Sequence, residues 1–385
     1  MEITNLQSLT EQAIEDRRYL HQNPELSGQE FETSQFIRKR LEHLQIEIVE
    51  FAPPSVVAMI KGTKGTKTIA LRADIDALPI VEEGEKPYIS QKPGVAHMCG
   101  HDGHTAILLA VAEWIAMNKE KCEPNIMLIF QSAEEITPSG ADQLIQNGVL
   151  DGVDAIYGLH LWQGLEKGKI GLTHGPMMAS VDDFEIEIQG RGGHGSMPHE
   201  TIDPIYIASH LMQSFQSIIS RNLNPVEAGV ITVGSIQAGT TYNIIPDTAK
   251  LIGTIRALTP ETVNTIQLKM ASVTKGICQT FGAEGHINFI IGTPPLINDQ
   301  HHSQIVESVV REQFGEDVFE LVEPVMGGED FSYYLKHKPG AFVFVGMGGE
   351  KSQYPHHHPR FDLDEDVFPD AIKLFIGIIM QYKCL

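Results

Sequence analysis

Asn-Ile-Met-Leu-Ile-Phe-Gln-Ser-Ala-Glu-Glu, residues 125–135, is the stretch that decides how this chain is read. Its first seven residues form an apolar run without alternation, the pattern of a strand buried on both faces. Such strands belong to parallel sheets covered by helices. The run then breaks directly into two adjacent acids, Glu134 and Glu135. In open α/β sheets ligands bind beyond the carboxyl ends of the strands, so the same eleven residues point to a fold and to a place for chemistry.

Working outward, the surrounding pattern agrees. Leu6, Leu9, Ala13 and Leu20 follow helical spacing and end near Asn23-Pro24, and Phe36, Ile37, Leu41 and Leu44 predict a second helix over 30–44. Strands are expected at 46–51, 56–60 and 68–73, a strongly apolar helix at 104–117, a helix at 140–146 and a strand at 154–160. The character changes near Ser180. Residues 183–189 (DFEIEIQ) alternate strictly, as a half-exposed antiparallel strand should. A helix over 202–221, strands at 229–237 and 250–258, a helix over 261–281 and a strand at 286–291 complete a β-α-β-β-α-β order, the split βαβ arrangement. After Thr293-Pro294-Pro295 the α/β character returns with a helix over 304–314, a strand at 341–345 and a last helix over 371–382. The expected fold class is α/β: a mostly parallel central sheet formed by 1–180 and 293–385, interrupted by an inserted ferredoxin-like domain over 181–292.

Composition narrows the partners. The chain has 385 residues, 28 Lys and Arg against 50 Asp and Glu, and a net charge of −22. That balance argues against nucleic acid and against an anionic membrane, both of which need clustered basic side chains. There is no basic-then-apolar leader at Met1-Glu2-Ile3 and no uncharged apolar run long enough to span a bilayer. Cys99, Cys122, Cys278 and Cys384 are scattered rather than regularly spaced, which speaks against a disulfide scaffold and for the cytoplasm.

The residues just past the expected parallel strands carry the most information. Asp74-Ile75-Asp76 come after one strand, Glu134-Glu135 after another, and a third ends on His160. Before the apolar helix stands His97-Met98-Cys99-Gly100-His101-Asp102-Gly103-His104. A thiol, imidazoles and carboxylates thus gather on one sheet edge, and together they are the donor set of Zn²⁺ or a related ion. Adjacent Glu134 and Glu135 point differently, so one can ligate while the other acts as general base on water. Taken singly, each has a plainer role: a solvated helix start for the glutamates, turn caps for the aspartates, a packing role for the cysteine and a solvated loop for His356-His357-His358. Their convergence outweighs those readings. Gly190-Arg191-Gly192-Gly193-His194-Gly195 satisfies the dinucleotide glycine pattern, yet the strand before it alternates and four residues separate it from the next helix, so it is a weak match.

With these residues in hand, the sequence resembles the M20 family of metallopeptidases and amidohydrolases, most of all its N-acyl-amino-acid amidohydrolases, hippurate hydrolases and plant auxin-conjugate hydrolases. The resemblance runs through Leu20–Leu26 (LHQNPEL), Arg72–Pro79 (RADIDALP), His97–His104, Ala133-Glu134-Glu135, Gly158-Leu159-His160, Gly192–Gly195, Gly328-Glu329-Asp330-Phe331 and His357-His358-Pro359-Arg360-Phe361. It implies two divalent ions, Zn²⁺ or Mn²⁺ ahead of Co²⁺ or Ni²⁺, held by Cys99, His101, Glu135, His160 and a late histidine. The family's His-x-Pro pattern puts that ligand at His357, with His356 and His358 as flanking alternatives. It implies Glu134 as general base, His194 as the group that helps hold the oxyanion, in relatives from a partner subunit, and Asn243 as a substrate-facing residue. The inserted domain would serve as a lid and dimerisation domain, in a dimer or tetramer. Ile136-Thr137-Pro138-Ser139 departs from the glycines usual after Glu135.

The activity expected from the resemblance is hydrolysis of small N-acyl amino acids at their amide bond. A dipeptidase or aminopeptidase of the same family is the nearest alternative. A non-catalytic metal-binding relative would have no need of Glu134, and a nucleotide-dependent oxidoreductase rests only on the weak glycine pattern.

Overall fold

The computed structural model describes residues 3–382. In chain order it begins with helices α1 (Leu6–Gln22) and α2 (Phe31–His43), strands β1 (Glu47–Val49), β2 (Val56–Ile60) and β3 (Thr68–Asp74), helix α3 (His101–Met117), strand β4 (Asn125–Gln131), helix α4 (Gly140–Gln146) and strands β5 (Ala155–Glu166) and β6 (Ile170–Leu172). Next come β7 (Pro176–Met178), β8 (Val181–Gln189), β9 (Gly193–His194), α5 (Pro204–Asn222), β10 (Gly229–Ala238), β11 (Ile244–Ile245), β12 (Thr248–Ala257), α6 (Pro260–Thr280), β13 (Glu284–Thr293) and β14 (Leu296–Ile297). The chain ends with α7 (Gln300–Phe314), β15 (Phe319–Leu321), α8 (Phe331–His337), β16 (Gly340–Gly348) and α9 (Phe368–Gln381).

These elements divide into two compact units. The first comprises the chain up to Gly175, Asn298–Glu323 and the residues from Asp330 onward; the second is Pro176–Ile297 with Pro324–Glu329. The first unit is built on an eight-stranded sheet in the order β1-β2-β4-β3-β5-β16-β6-β15. Its centre is parallel, β4 to β3, β3 to β5 and β5 to β16, while β1–β2, β2–β4 and β16–β6 are antiparallel. The NIMLIFQ run is β4, buried from Ile126 to Gln131, and lies between β2 and β3 as its lack of alternation requires.

Several expected boundaries move by a few residues, and two of these moves bear on the chemistry. Helix α3 starts at His101 rather than at 104, because Gly100 adopts a left-handed φ of +100° as its cap. A side chain there would be strained and would press within 3.1 Å of Leu363. His101 is therefore in the first helical turn instead of a loop before the helix. Strand β5 does not end on His160 but runs to Glu166, because β16 extends alongside it, Phe344 opposite His160 and Gly348 opposite Glu166. Strands β6 and β15 and the short helix α8 carry too few residues for periodicity to reveal them.

In the second unit a four-stranded antiparallel sheet, ordered β10-β12-β8-β13, carries α5 and α6. The alternation of DFEIEIQ places Phe184, Ile186 and Ile188 in that core with Leu211, Phe215 and Ile266. Both helices open on an oxygen-bearing cap followed by proline, Asp203-Pro204 and Thr259-Pro260. No helix among the described residues is long and apolar enough to cross a membrane. Cys99, Cys122 and Cys278 are free thiols, and Cys384 lies outside the described residues.

A buried ionic cluster fastens α1 to the rest of the first unit. The Arg17 guanidinium, fully buried, donates to Asp102 (2.8 Å), Asp362 (2.6 Å) and Glu365 (3.0 Å). His21 bridges Asp102 at 2.8 Å and Glu82 at 2.9 Å. Breaking a buried pair leaves the partner charge without compensation. Arg17→Met is expected to destabilise the first unit by about 3–5 kcal/mol in urea unfolding, since Asp102 would remain buried beside one fewer cation.

Candidate metal centre

The site assembles at the carboxyl ends of β3 and β4, the start of α3 and the middle of β5. The left-handed Gly100 sets Cys99 and His101 on either side of it, so both reach the same space. Ala133, at a left-handed φ of +54°, turns the chain sharply after β4 and presents Glu134 and Glu135. His357 is also left-handed, at +66°, and its N–H donates to the Met98 carbonyl at 2.8 Å, which ties the late histidine segment to the peptide beside Cys99.

The donor atoms fall into two overlapping groups. Cys99, His101 and His160 place their ligand atoms within 4.8 Å of one another, and so do Cys99, Glu135 and His357. Cys99 is common to both. Its Sγ lies 3.6 Å from His160 Nε2, and His357 Nε2 lies 3.1 Å from Glu135 Oε1. His101 Nε2 and Glu135 Oε1 are buried, make no hydrogen bond, and stand 4.0 Å apart. Unsatisfied buried atoms of this kind are costly. Two such atoms facing each other across a gap, beside a thiol and further imidazoles, fit a divalent ion. His101, Glu134 and Glu135 form a third close group, with Glu134 next to the other two and its Oε1 accepting the Asp330 N–H at 3.3 Å.

A second layer fixes which ring nitrogen faces inward. His101 Nδ1 donates to the Asp76 carbonyl (3.0 Å) and carboxylate (3.1 Å), leaving Nε2 toward the gap. The Leu161 peptide orients three rings. Its N–H donates to His104 Nε2 at 3.0 Å, and its carbonyl accepts from His160 Nδ1 at 2.9 Å and from His356 Nε2 at 3.0 Å. His160 Nε2 is therefore the unprotonated nitrogen, aimed at Cys99. His104, receiving at Nε2, donates from Nδ1 to Asp74 at 2.6 Å. Asp74 also pairs with Arg72 at 2.7 Å, so although Asp74, His101 and His104 cluster closely, both the carboxylate and the His104 ring are committed to other bonds.

Crowding acids in a dry place sets the electrostatics. Burial raises the Cys99 thiol well above its usual range, and the charges of Glu135, Glu134 and Asp74 add to the rise. For His101, burial disfavours the charged ring, but Asp74 and Asp76 more than offset this and lift it to about 10. Burial drives His160 well down, with His104 and His356 reinforcing the shift. A dication held here would offset the negative charge that these acids concentrate.

Among the three late histidines only His357 reaches the carboxylate. His356 is bonded to Leu161 and stacks on Trp162 at 4.7 Å, and His358 stacks on Tyr354 at 4.6 Å while accepting the Arg360 N–H. His194 and Asn243 belong to the second unit and lie together there. β9 pairs with β11 so that His194 faces Ile244, and the Asn243 carbonyl accepts the Gly195 N–H at 2.9 Å. His194 Nδ1 accepts from Ser196, and the ring is exposed. The supporting residues Arg72, His104, Gln131 and Asp330 all stand within the stretches quoted above, but their residue types alone gave them no role; their place beside the acids and imidazoles of those stretches is the signal that could have found them.

A model of peptidase family M20/M25/M40 matches residues 70–381. The chain belongs to that family, and it is a hydrolase. It is 43% identical over 364 residues to an N-acetyl-L-cysteine deacetylase of Bacillus subtilis, covering 94% of this chain and 86% of the relative. It is 43% identical over 283 residues to an N-acyl-L-amino acid amidohydrolase of Geobacillus stearothermophilus, covering 73% of this chain and 76% of that one. The solved structure of the Bacillus subtilis YXEP protein, a dinuclear metal binding peptidase from the M20 family, superposes with a TM-score of 0.86 at 36% identity, over 97% of this chain and 98% of that one.

The sharing of Cys99 sets an expected outcome for metal content. After dialysis against buffered Zn²⁺, Cys99→Ala should retain well under about one ion per chain, because both donor groups lose a member. His357→Ala, which touches one group, should retain about one. Elemental analysis of the dialysed proteins checks both.

Proposed function

We propose that this chain hydrolyses the amide bond of N-acyl amino acids, releasing a carboxylic acid and a free amino acid. The observation that carries the reading is the pair of donor groups sharing Cys99, with Glu134 set beside them. Cys99, His101 and His160 would hold one divalent ion and Cys99, Glu135 and His357 the other, with Zn²⁺ or Mn²⁺ suiting a thiolate, imidazole and carboxylate set. Divalent ions held there supply Lewis acidity, polarising a carbonyl and making water acidic enough to be deprotonated near pH 7.

The chain's own residues then do the proton work. Glu134 accepts a proton from the attacking water as it adds to the acyl carbonyl, and delivers a proton to the departing amine nitrogen. The Asp330 N–H at Glu134 Oε1 keeps that carboxylate in place. We assign His194 to the developing oxyanion and Asn243 to the substrate, as the family resemblance implies. A preorganised donor at that point is typically a large part of the rate enhancement. The second unit, with its 2-3-1-4 order of strands β8, β10, β12 and β13 under two helices, supports a ferredoxin-like lid and dimerisation domain inserted into a discontinuous catalytic domain. A cytoplasmic dimer or tetramer is the assembly we infer.

Turnover of N-acetyl and N-benzoyl amino acids by the metal-loaded enzyme tests the reading. Glu134→Gln should lower kcat by about 10²–10⁴-fold with metal content unchanged. Undiminished turnover in that variant would remove Glu134 from the role of base. Substrates with a free α-amino group should be poorer than their N-acyl counterparts. The opposite order would make the enzyme a dipeptidase or aminopeptidase.

A further inference from the structure

Three side chains from three separate elements grip the backbone of residues 132–135. The Ser132 N–H donates to Ser55 Oγ at 3.0 Å, the Ala133 N–H to Glu30 Oε1 at 2.7 Å and the Glu135 N–H to Asp76 Oδ2 at 3.0 Å. Ser55 has a further bond to the Ser132 hydroxyl at 2.8 Å, and Asp76 also bonds His101 and Ser27, so each has a use elsewhere. Glu30 is fully buried, forms no ion pair among the described residues, and its Oε2 has no hydrogen-bond partner. A carboxyl buried on those terms costs stability; it meets backbone N–H groups and no cation, its short bond being the one from Ala133, with the N–H groups of Gly28 and of Glu30 itself also directed at it.

That peptide is the place where the turn is least favourable. Ala133 has a left-handed φ of +54°, a conformation its Cβ resists, and the next residue is Glu134. The Ala133 carbonyl is held from the other side by the Gly140 N–H at 2.9 Å. With both polar groups of the residue bonded, the turn departs from the line of β4 in one direction only.

We propose that Glu30 is a positioning residue: by accepting the Ala133 N–H it holds the left-handed turn that aims Glu134 at the reacting water. This rests on Glu134 being the general base. Burial, with the Asp76 charge nearby, lifts the Glu30 carboxyl to about 7. Either protonation state keeps an oxygen to accept the bond, and so does the side-chain amide of glutamine.

The test is steady-state kinetics on an N-acyl amino acid with the full-length, metal-loaded enzyme. Glu30→Ala should lower kcat by about 10- to 100-fold, the scale expected when a catalytic group is misplaced, with KM changed less than about threefold and metal content as in the parent. Glu30→Gln should recover most of that loss. Adding Ala133→Gly to Glu30→Ala should recover part of it, since glycine takes the left-handed turn without a Cβ penalty. Glu30→Asp, which withdraws the oxygen by one methylene but keeps the charge, should resemble Glu30→Ala and serves if the alanine variant does not fold. The proposal is overturned if Glu30→Ala and Glu30→Asp turn over within about twofold of the parent. It is equally overturned if Glu30→Gln is as impaired as Glu30→Asp, or if the loss merely follows loss of metal. Glu134→Gln separates the two readings. If it stays active, the base assignment falls and the Glu30 proposal with it; if it is inactive while Glu30→Ala is active, only the Glu30 proposal falls.

Discussion

The Arg72 guanidinium is the charge on which the site depends. It is fully buried at the end of β3 and donates to Asp74 and Asp330, both at 2.7 Å, and to Gln131 at 2.8 Å. Five carboxylates, those of Asp74, Asp76, Glu134, Glu135 and Asp330, crowd the ends of two neighbouring strands, and buried acids without a countercharge would take up protons. His101 and His104, with Arg72 after them, hold the Asp74 carboxyl well below its ordinary range against the effect of burial. The ionised Asp74 fixes the proton of His104, His104 receives the Leu161 N–H, and the Leu161 carbonyl turns His160 toward Cys99. Arg72, some distance from the thiol, thus takes part with the imidazoles in setting which lone pair the thiol faces.

Asp330 shows the limit of that compensation. Burial pushes its carboxyl up to about 6 in spite of Arg72 and Gln131, and it spends its oxygens on Arg72, Gln131 and the Ala141 N–H. Its backbone N–H, in contrast, bonds Glu134. One residue therefore joins the buried polar core to the carboxylate assigned to proton transfer. Asp74 and Asp330 spend their oxygens on neighbouring groups, whereas His101 Nε2 and Glu135 Oε1, which would meet an ion, have no hydrogen-bond partner.

Much of the architecture is legible in the residues alone. The NIMLIFQ run is the central strand β4, and DFEIEIQ is an antiparallel strand with alternate residues buried. These patterns are strong because burial on both faces, or on one, dictates residue type at every position. The acids, the thiol and the imidazoles are gathered by a rule about strand ends that needs only the order of elements. Short strands such as β6 and β15 escape because three residues carry no period. The start of α3 is misplaced because Gly100 and His101 read as a turn, and only the left-handed Gly100 capping the helix shows otherwise. Glu30, a hundred residues from the peptide it holds, gives no local signal at all.

Composition, periodicity and motif spacing were enough to determine an α/β sheet, an alternating antiparallel unit within it, and the edge where donors collect, because each depends on local burial and chain order. They could not choose among His356, His357 and His358, which are consecutive and chemically alike. That choice belongs to the folded chain, where Leu161 and Trp162 occupy the first ring and Tyr354 the third, and the Met98 carbonyl pins the left-handed His357 backbone so that its ring meets Glu135. The contacts of His356 and His357 join residues far apart in the chain, which no local pattern encodes, whereas that of His358 with Tyr354 is local.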